Sequence, residues 1–408
     1  MSWISVLSNP PPRQAEINGN MERWWDTSSM SRMPMAGVRV DHDVAMTSAT
    51  AFACTRAVAE TVGSLPGIVY ETISEAERNR ARDSDMWRLL HDWPNPYMDA
   101  GTFFELGTTR MTNRGNAFAE IERDGRDRPM YLWPIHNSRI VPWKLDSGEV
   151  EFHVYTSEKT SDNKFGYRYY VVPARDMLNV VGFNSKDGII GSGVIPQARE
   201  ELALDIASQQ YGASWFGNGA RPAGLVKHKD FIHDETRRAE FRRDINSLHG
   251  GRENWNKVGV LWDGAEWQNI EVSPEQAQFL GTREWQAKVL CRFWNVPPAI
   301  VQIFEDYKFA TVDAMIRQFV MTCIRPTAIR WERAIRRQVF HTQDSGGNTV
   351  SLFPQQDYVF EFLMNALLRG DPKTQAEANG ILRGWGILNG DEWRGQENWN
   401  PLPNGIGK

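Results

Sequence analysis

Apolar positions along this 408-residue chain change period several times. From Val44 to Val62 they recur at helical spacing and stop at Gly63, a residue type that ends helices readily. Gly67 to Thr72 reads as a strand, Glu75 to Asp85 as a charged surface loop or helix, and Gly101 to Asn113 as another amphipathic helix closed by Arg114-Gly115-Asn116. Ala117 to Arg123 and Met130 to Trp133 read as strands joined through Asp124-Gly125, a hairpin-type turn. Ile140 to Trp143, Val150 to Tyr155, Tyr167 to Val172 and Met177 to Phe183 continue the β pattern. Gly63 to Gly182 is therefore predicted to be α+β with an antiparallel sheet.

The pattern then lengthens. Gly193 to Phe216 keeps one apolar face through Ile195, Leu202, Ile206 and Ala213. If fully helical, it spans about 36 Å. A mixed module follows: a strand over Ala223 to His228, a helix from the cap Asp234 to Leu248, and strands over Lys257 to Trp262 and Trp267 to Val272. Ser273-Pro274-Glu275-Gln276 starts a second long helix that runs to Trp294 and stops before Pro297-Pro298. Thr311 to Phe340 is helical again. Pro326 inside it costs about 3 kcal/mol in a regular helix, so a kink is predicted at Ile324-Arg325. Thr349 to Phe353 and Tyr358 to Phe362 are strand-like, and a last helix begins at Asp371-Pro372, with Gly386 and Gly390 at its end. Met1 to His42 has no sustained period and reads as a mobile arm. Two long helices bracketing a small module look like a stem that holds a knob.

Composition narrows the function classes. No apolar run is long enough for a bilayer, and the N-terminus lacks the basic start and apolar core of a signal peptide. Cys54, Cys291 and Cys323 are far apart in sequence and sit in apolar helical patterns, so they read as buried free thiols. The formal charge is −5, whereas a protein that grips DNA carries a basic footprint. The 17 tryptophans fit cores one at a time, and as a set they fit an oligomer with broad interfaces.

The order of motifs resembles the portal proteins of tailed bacteriophages. It is carried by Ala51 to Pro66, Trp93-Pro94-Asn95-Pro96, Arg114-Gly115-Asn116, Leu132-Trp133-Pro134-Ile135, Gly188 to Gly193, Gly217 to Pro222, Asn295-Val296-Pro297-Pro298 and Ala366 to Pro372. It covers roughly Ala45 to Asn400. The resemblance implies an α+β portal fold assembled as a ring. Its parts are an arm (1–43), a wing (44–192), a stem helix (193–216), a β-α-β-β clip (217–272), a second stem helix (273–297) and a tunnel loop (298–310). A long kinked helix with wing strands (311–365), a small helical crown (366–400) and a tail (401–408) complete it. Expected partners are copies of itself, with a dodecamer expected, double-stranded DNA passing through the channel, the terminase large subunit, the major capsid protein and head-tail adaptors. The expected location is the portal vertex of a virion assembled in the host bacterial cytoplasm. An acidic ring suits a conduit with weakly binding walls.

Candidate chemistry is sparse. No phosphate-binding Gly-x-x-x-x-Gly-Lys-Ser/Thr, no Gly-x-Ser-x-Gly and no His-Glu-x-x-His occurs, so no enzyme, cofactor or metal is expected. His228 and His233 have poor ligand spacing, and Asp41-His42-Asp43 suits a helix cap better than a cation site. Phe304, Glu305, Asp306, Tyr307, Lys308 and Phe309 read on spacing alone as an exposed helix connection. The resemblance makes them the loop that touches passing DNA, with Lys308 as a phosphate contact. Arg237, Arg238, Arg242 and Arg243 on the clip helix are either a solvated face or a docking contact for the packaging motor or adaptor. Arg325, Arg330, Arg333, Arg336 and Arg337 are expected to pair with acids of a neighbouring subunit. Alternatives are the same fold in a gene-transfer particle or defective prophage, a Trp-rich enzyme acting on polymers such as glycans, and a nuclease. The last two need acid constellations that are not found.

Overall fold

The computed structural model describes residues 33–74, 77–145, 148–159, 167–185, 187–217, 225–227, 236, 243, 266–268, 275–304, 309–343, 349–353, 356–364, 372–396 and 402. Most of the expected arm, all but Thr236 and Arg243 of the expected clip helix from Asp234 to Leu248, the strand over Lys257 to Trp262, the helix start at Ser273 and most of the tail lie outside them.

The first predicted helix is two: α1 (His42–Ala45) and α2 (Ala49–Gly63). Asp41 caps α1 by accepting from the amides of Asp43 and Val44. Ser48 restarts the helix by accepting from the Ala51 amide, while its own hydroxyl donates to Asp205 at 2.6 Å. β1 (Gly67–Ser74) follows, then β2 (Glu77–Arg80), which replaces the expected charged loop. α3 (Asp85–Trp87) runs into a π turn over Arg88–Asp92. α4 (Ala100–Arg114) is capped by Asp99 and stopped by Gly115.

The expected single antiparallel sheet is instead divided. β3 (Asn116–Arg123) pairs with β4 (Pro129–Ile135) on one side. After β5 (Ile140–Lys144), β6 (Val150–Lys159) and β7 (Tyr167–Pro173) form their own sheet, β8 (Met177–Val181) returns to the other side of β3. The reason lies in β3. Side chains alternate across a strand, and Ala117, Ala119 and Ile121 enter the main core while Phe118 enters a second one. That second core also takes Ile140, Phe152, Val154 and Val172 from the β5–β6–β7 sheet. A strand buried on both faces needs a second layer, and the hairpin polarity alone does not reveal it.

The expected first stem helix breaks into α5 (Val194–Gln197) and α6 (Arg199–Gly217) at Ala198, where ψ is 6°. Two short strands, β9 (Leu225–Lys227) and β10 (Glu266–Gln268), pair antiparallel, and α7 (Glu275–Trp294) follows. A 3₁₀ turn (Pro298–Val301) leads toward α8 (Phe309–Phe319). The predicted disturbance near Pro326 is a π turn over Val320–Ile324, after which α9 (Arg325–Ile335) resumes and ends in another π turn, Arg336–Phe340. A proline at 326 has no amide to give the Thr322 carbonyl. Asn295 fills that role: its Nδ2 donates to Thr322 O at 2.9 Å. β11 (His341–Gln343) and β12 (Thr349–Ser351) form a ribbon, and β13 (Asp357–Phe362) pairs with β1 from Gly67↔Phe362 to Thr72↔Asp357. α10 (Pro372–Gly384) and α11 (Gly390–Gln396) follow.

The main core is aromatic. Trp331 of α9 meets Phe104 edge-on at 5.1 Å, and Phe104 in turn contacts Phe360 and Phe362 of β13. The buried Trp331 indole donates to Thr108 at 3.0 Å, so burying its N–H leaves no polar group unsatisfied. Trp294 is likewise core, whereas Trp93, Trp285 and Trp385 are exposed. The tryptophans thus divide between core and surface.

Candidate DNA-conduit site

The stem candidate is anchored where three backbones cross. Gly115 ends α4 with φ 97°, a conformation that disfavours any side chain. A Cβ there would sit 2.0 Å from the Gly191 carbonyl oxygen, and one on Gly191 would sit 2.3 Å from the Gly115 oxygen. Gly182, at the end of β8, donates its amide to Gly115 O at 2.7 Å. Asn116 fastens the crossing: Nδ2 donates to Asn179 Oδ1 (2.7 Å) and Ile189 O (2.8 Å), and Oδ1 accepts from the Gly191 amide (2.9 Å). The sequence motifs Arg114-Gly115-Asn116 and Gly188 to Gly193 are therefore the two halves of one joint, from which α5 and α6 depart.

Further polar ties hold α6 and α7 to α2, α4 and the residue that caps α2. Asp205 of α6 accepts from Ser48. At the far end of α7, Trp294 Nε1 donates to Asn113 Oδ1 at 3.2 Å, and Thr55 donates to the same oxygen at 3.1 Å. These groups are buried, so each lost partner strands a polar atom away from water. Asn295 follows with φ 54°, the left-handed turn that ends α7 and aims its amide at Thr322. None of these ties was predicted from sequence. The Asn-Val-Pro-Pro signature marked the place without giving its role.

Of the loop candidates, Phe304 is 52% exposed. Glu305, Asp306, Tyr307 and Lys308 lie outside the described residues, and Phe309 opens α8. The base of the loop is fixed by Gln302, at φ 65°, and by the Ile303 amide donating to Pro298 O. An open cavity of about 430 Å³ lies there, lined by Glu284 and Ala287 of α7 with Gln302, Ile303 and Phe304.

The arginine candidates separate. Arg325, Arg333, Arg336 and Arg337 are exposed, and none makes an ion pair among the described residues. Arg330 is half-buried and its Nη1 donates to the carbonyls of Val181 (3.3 Å) and Gly182 (3.0 Å), which ties α9 to the stem joint within its own chain. Burial, and then Arg333 nearby, hold its pKa below the usual guanidinium value. Of the arginines expected on a clip helix, Arg243 is exposed, while Arg237, Arg238 and Arg242 lie outside the described residues. Among the described residues no His/Cys/Asp/Glu group is arranged to hold a metal. No helix there is long and apolar enough to cross a membrane.

The sequence profile of phage portal proteins matches residues 49–398. This chain belongs to the phage portal protein family. It is 26% identical over 361 residues to the portal protein of Enterobacteria phage HK97, covering 87% of this chain and 80% of that one. It is 28% identical over 376 residues to the probable portal protein of Streptomyces phage phiC31, covering 90% and 78%. Its fold is similar to a chain from the neck of a native gene transfer agent particle computed with C12 symmetry: TM-score 0.56, 18% identity, 93% of this chain and 95% of that one. As a portal protein it is a structural component of the virion's portal vertex, not an enzyme.

Proposed function

We propose that twelve copies of this portal protein form a closed ring through which double-stranded DNA enters and leaves a capsid. In this reading, residues 44–192 with the strands of 311–365 form the wing, 193–216 and 273–297 the stem, and 217–272 the clip. Residues 366–400 form the crown. The family match over 49–398 supports it most, because the match spans both stem helices, the insert between them and the returning long helix. Closed cyclic symmetry uses unlike flanks of each copy without leaving an open filament. The loop Phe304 to Phe309 faces the lumen, and Lys308 touches phosphates without reading sequence. Arg237, Arg238, Arg242 and Arg243 of the clip meet the terminase large subunit and later the head-tail adaptors. The wing meets the major capsid protein, and exposed Arg325, Arg333, Arg336 and Arg337 pair with carboxylates of the adjacent copy. The net charge of −5 favours sliding over gripping.

Electron microscopy and native mass measurement of the purified chain test this reading. Rings with a central hole are expected, alone or on co-expression with the capsid protein. A chain that stays monomeric in both settings overturns the proposal. The likeness to a gene transfer agent neck favours one second reading, a portal of a gene-transfer particle. Sequencing the DNA protected inside particles separates the two: random host fragments support the second, one recurrent phage genome the first.

A further inference from the structure

The fold gathers all three cysteines, from three distant parts of the chain, into one core. Cys54 lies in α2, Cys291 in the last turn of α7 and Cys323 in the π turn before α9, and all are buried and free. They are not equivalent. The Cys54 thiol donates to Cys291 Sγ across 3.7 Å, whereas the Cys323 thiol donates to the Trp294 carbonyl at 3.5 Å. A disulfide needs sulfurs about 2.05 Å apart, so the Cys54–Cys291 pair closes with less than about 2 Å of sulfur travel. Burial pushes the Cys323 thiol up to about 12. The hydrogen bond to Cys291, and then burial, push Cys54 up, while that donated hydrogen bond draws Cys291 down. Cys291, the acceptor of that bond, is the better placed of the two to react as a thiolate. It also precedes exposed Arg292 and Phe293 at the end of the helix, which place it within one turn of solvent.

We propose that Cys54 and Cys291 are a disulfide-forming modification site, closed by peroxides, which clamps the end of the second stem helix to α2 of the wing. The Cys291 thiolate attacks one peroxide oxygen and the O–O bond breaks, leaving a sulfenic acid and hydroxide. The Cys54 thiol then attacks that sulfur, the S–OH bond breaks, and water leaves. Overall the protein loses two hydrogens and the peroxide becomes two waters. In a reducing bacterial cytoplasm the pair stays open while the particle is assembled. Outside the cell it closes, and the stem is stapled to the wing in the finished particle. The chemistry needs only the folded chain, so it stands or falls independently of ring assembly.

The test treats the full-length chain with hydrogen peroxide, quenches it, and unfolds it for thiol titration, intact mass and peptide mapping. The expected result is loss of two of the three titratable thiols, a mass lower by two hydrogens, and a linked Cys54–Cys291 peptide. The melting temperature rises by several degrees, and the rise is reversed by a dithiol reductant. Cys323→Ala retains the linkage, and Cys54→Ala and Cys291→Ala lose it. Peptide mapping of the unsubstituted chain decides the matter even if a variant folds poorly. Three intact thiols in peroxide-treated folded protein, a link through Cys323, or Cys291 driven to sulfinic acid beside an untouched Cys54 would each overturn the assignment.

Discussion

Replacing Gly115 by alanine probes the joint from which the stem departs. Two separate costs combine. An L residue held at φ 97° is strained by about 1–2 kcal/mol. The new methyl would also lie 2.0 Å from Gly191 O, 2.6 Å from Gly191 C and 3.0 Å from Gly193 N. All three are backbone atoms, so no side-chain rotation relieves the overlap. Forced shifts of this kind cost about 1–3 kcal/mol, and they also pull on the Asn116 amide that holds Gly191. The expected total is about 2–5 kcal/mol, a large part of the 5–15 kcal/mol typical of a folded domain. Urea unfolding followed by tryptophan fluorescence measures it, because Trp294 and Trp331 are buried in the main core. Gly125→Ala is the matched control: its Cβ would meet nothing within 4 Å. The reasoning fails if Gly115→Ala unfolds within about 0.5 kcal/mol of the parent, or if Gly125→Ala is equally damaging.

Other perturbations separate roles that the sequence lumps together. Arg330→Ala should destabilise the isolated chain by about 1–3 kcal/mol by stranding two carbonyls. Arg325→Ala and Arg333→Ala should stay within about 0.5 kcal/mol yet weaken ring formation in native mass measurements as salt rises. Asn295→Gly keeps the left-handed turn and loses only the bond to Thr322, so its cost should be near 1 kcal/mol. Asn295→Ala should cost about 1 kcal/mol more in the same denaturation assay, because it also strains the turn. Burial, opposed in part by the Phe362 amide, raises the Glu332 pKa above its ordinary 4.5. The unfolded chain therefore ionises first, and stability falls as pH climbs from about 4.5 through the raised folded value. Glu332→Gln, which still accepts from Phe362, should match the parent near pH 4 and exceed it at pH 7 in thermal melts.

Local patterns were readable where the physics is local. Asp41 caps the helix it precedes, the Asp124-Gly125 turn joins β3 to β4, and the disturbance at Pro326 falls where a missing amide puts it. What escaped was set by distant residues. The division into two sheets depends on Phe118 finding Phe152 at 5.9 Å, which no period along β3 announces. Arg330 looked like its arginine neighbours because carbonyl acceptors leave no mark in a sequence. The glycines of the stem joint were visible as motifs, but their purpose appeared only when two of them met. Sequence legibility of the site was correspondingly uneven. The glycine and Asn-Val-Pro-Pro motifs were visible, and the hydrogen bonds of Asn113, Asn116 and Asn295 were not.

The pairing of β1 with β13 bears on how the chain is made. Gly67 faces Phe362, so the sheet closes only after everything from β2 to β12 has been synthesised. At bacterial elongation rates that interval is roughly 15–60 s. Throughout it, Val69 and Phe104 await Phe360 and Phe362, exposing apolar surface and a strand edge to other nascent chains. Contacts this distant also slow folding once synthesis ends. Each copy is thus obliged to carry an unpaired β1 edge until its last strand has been made.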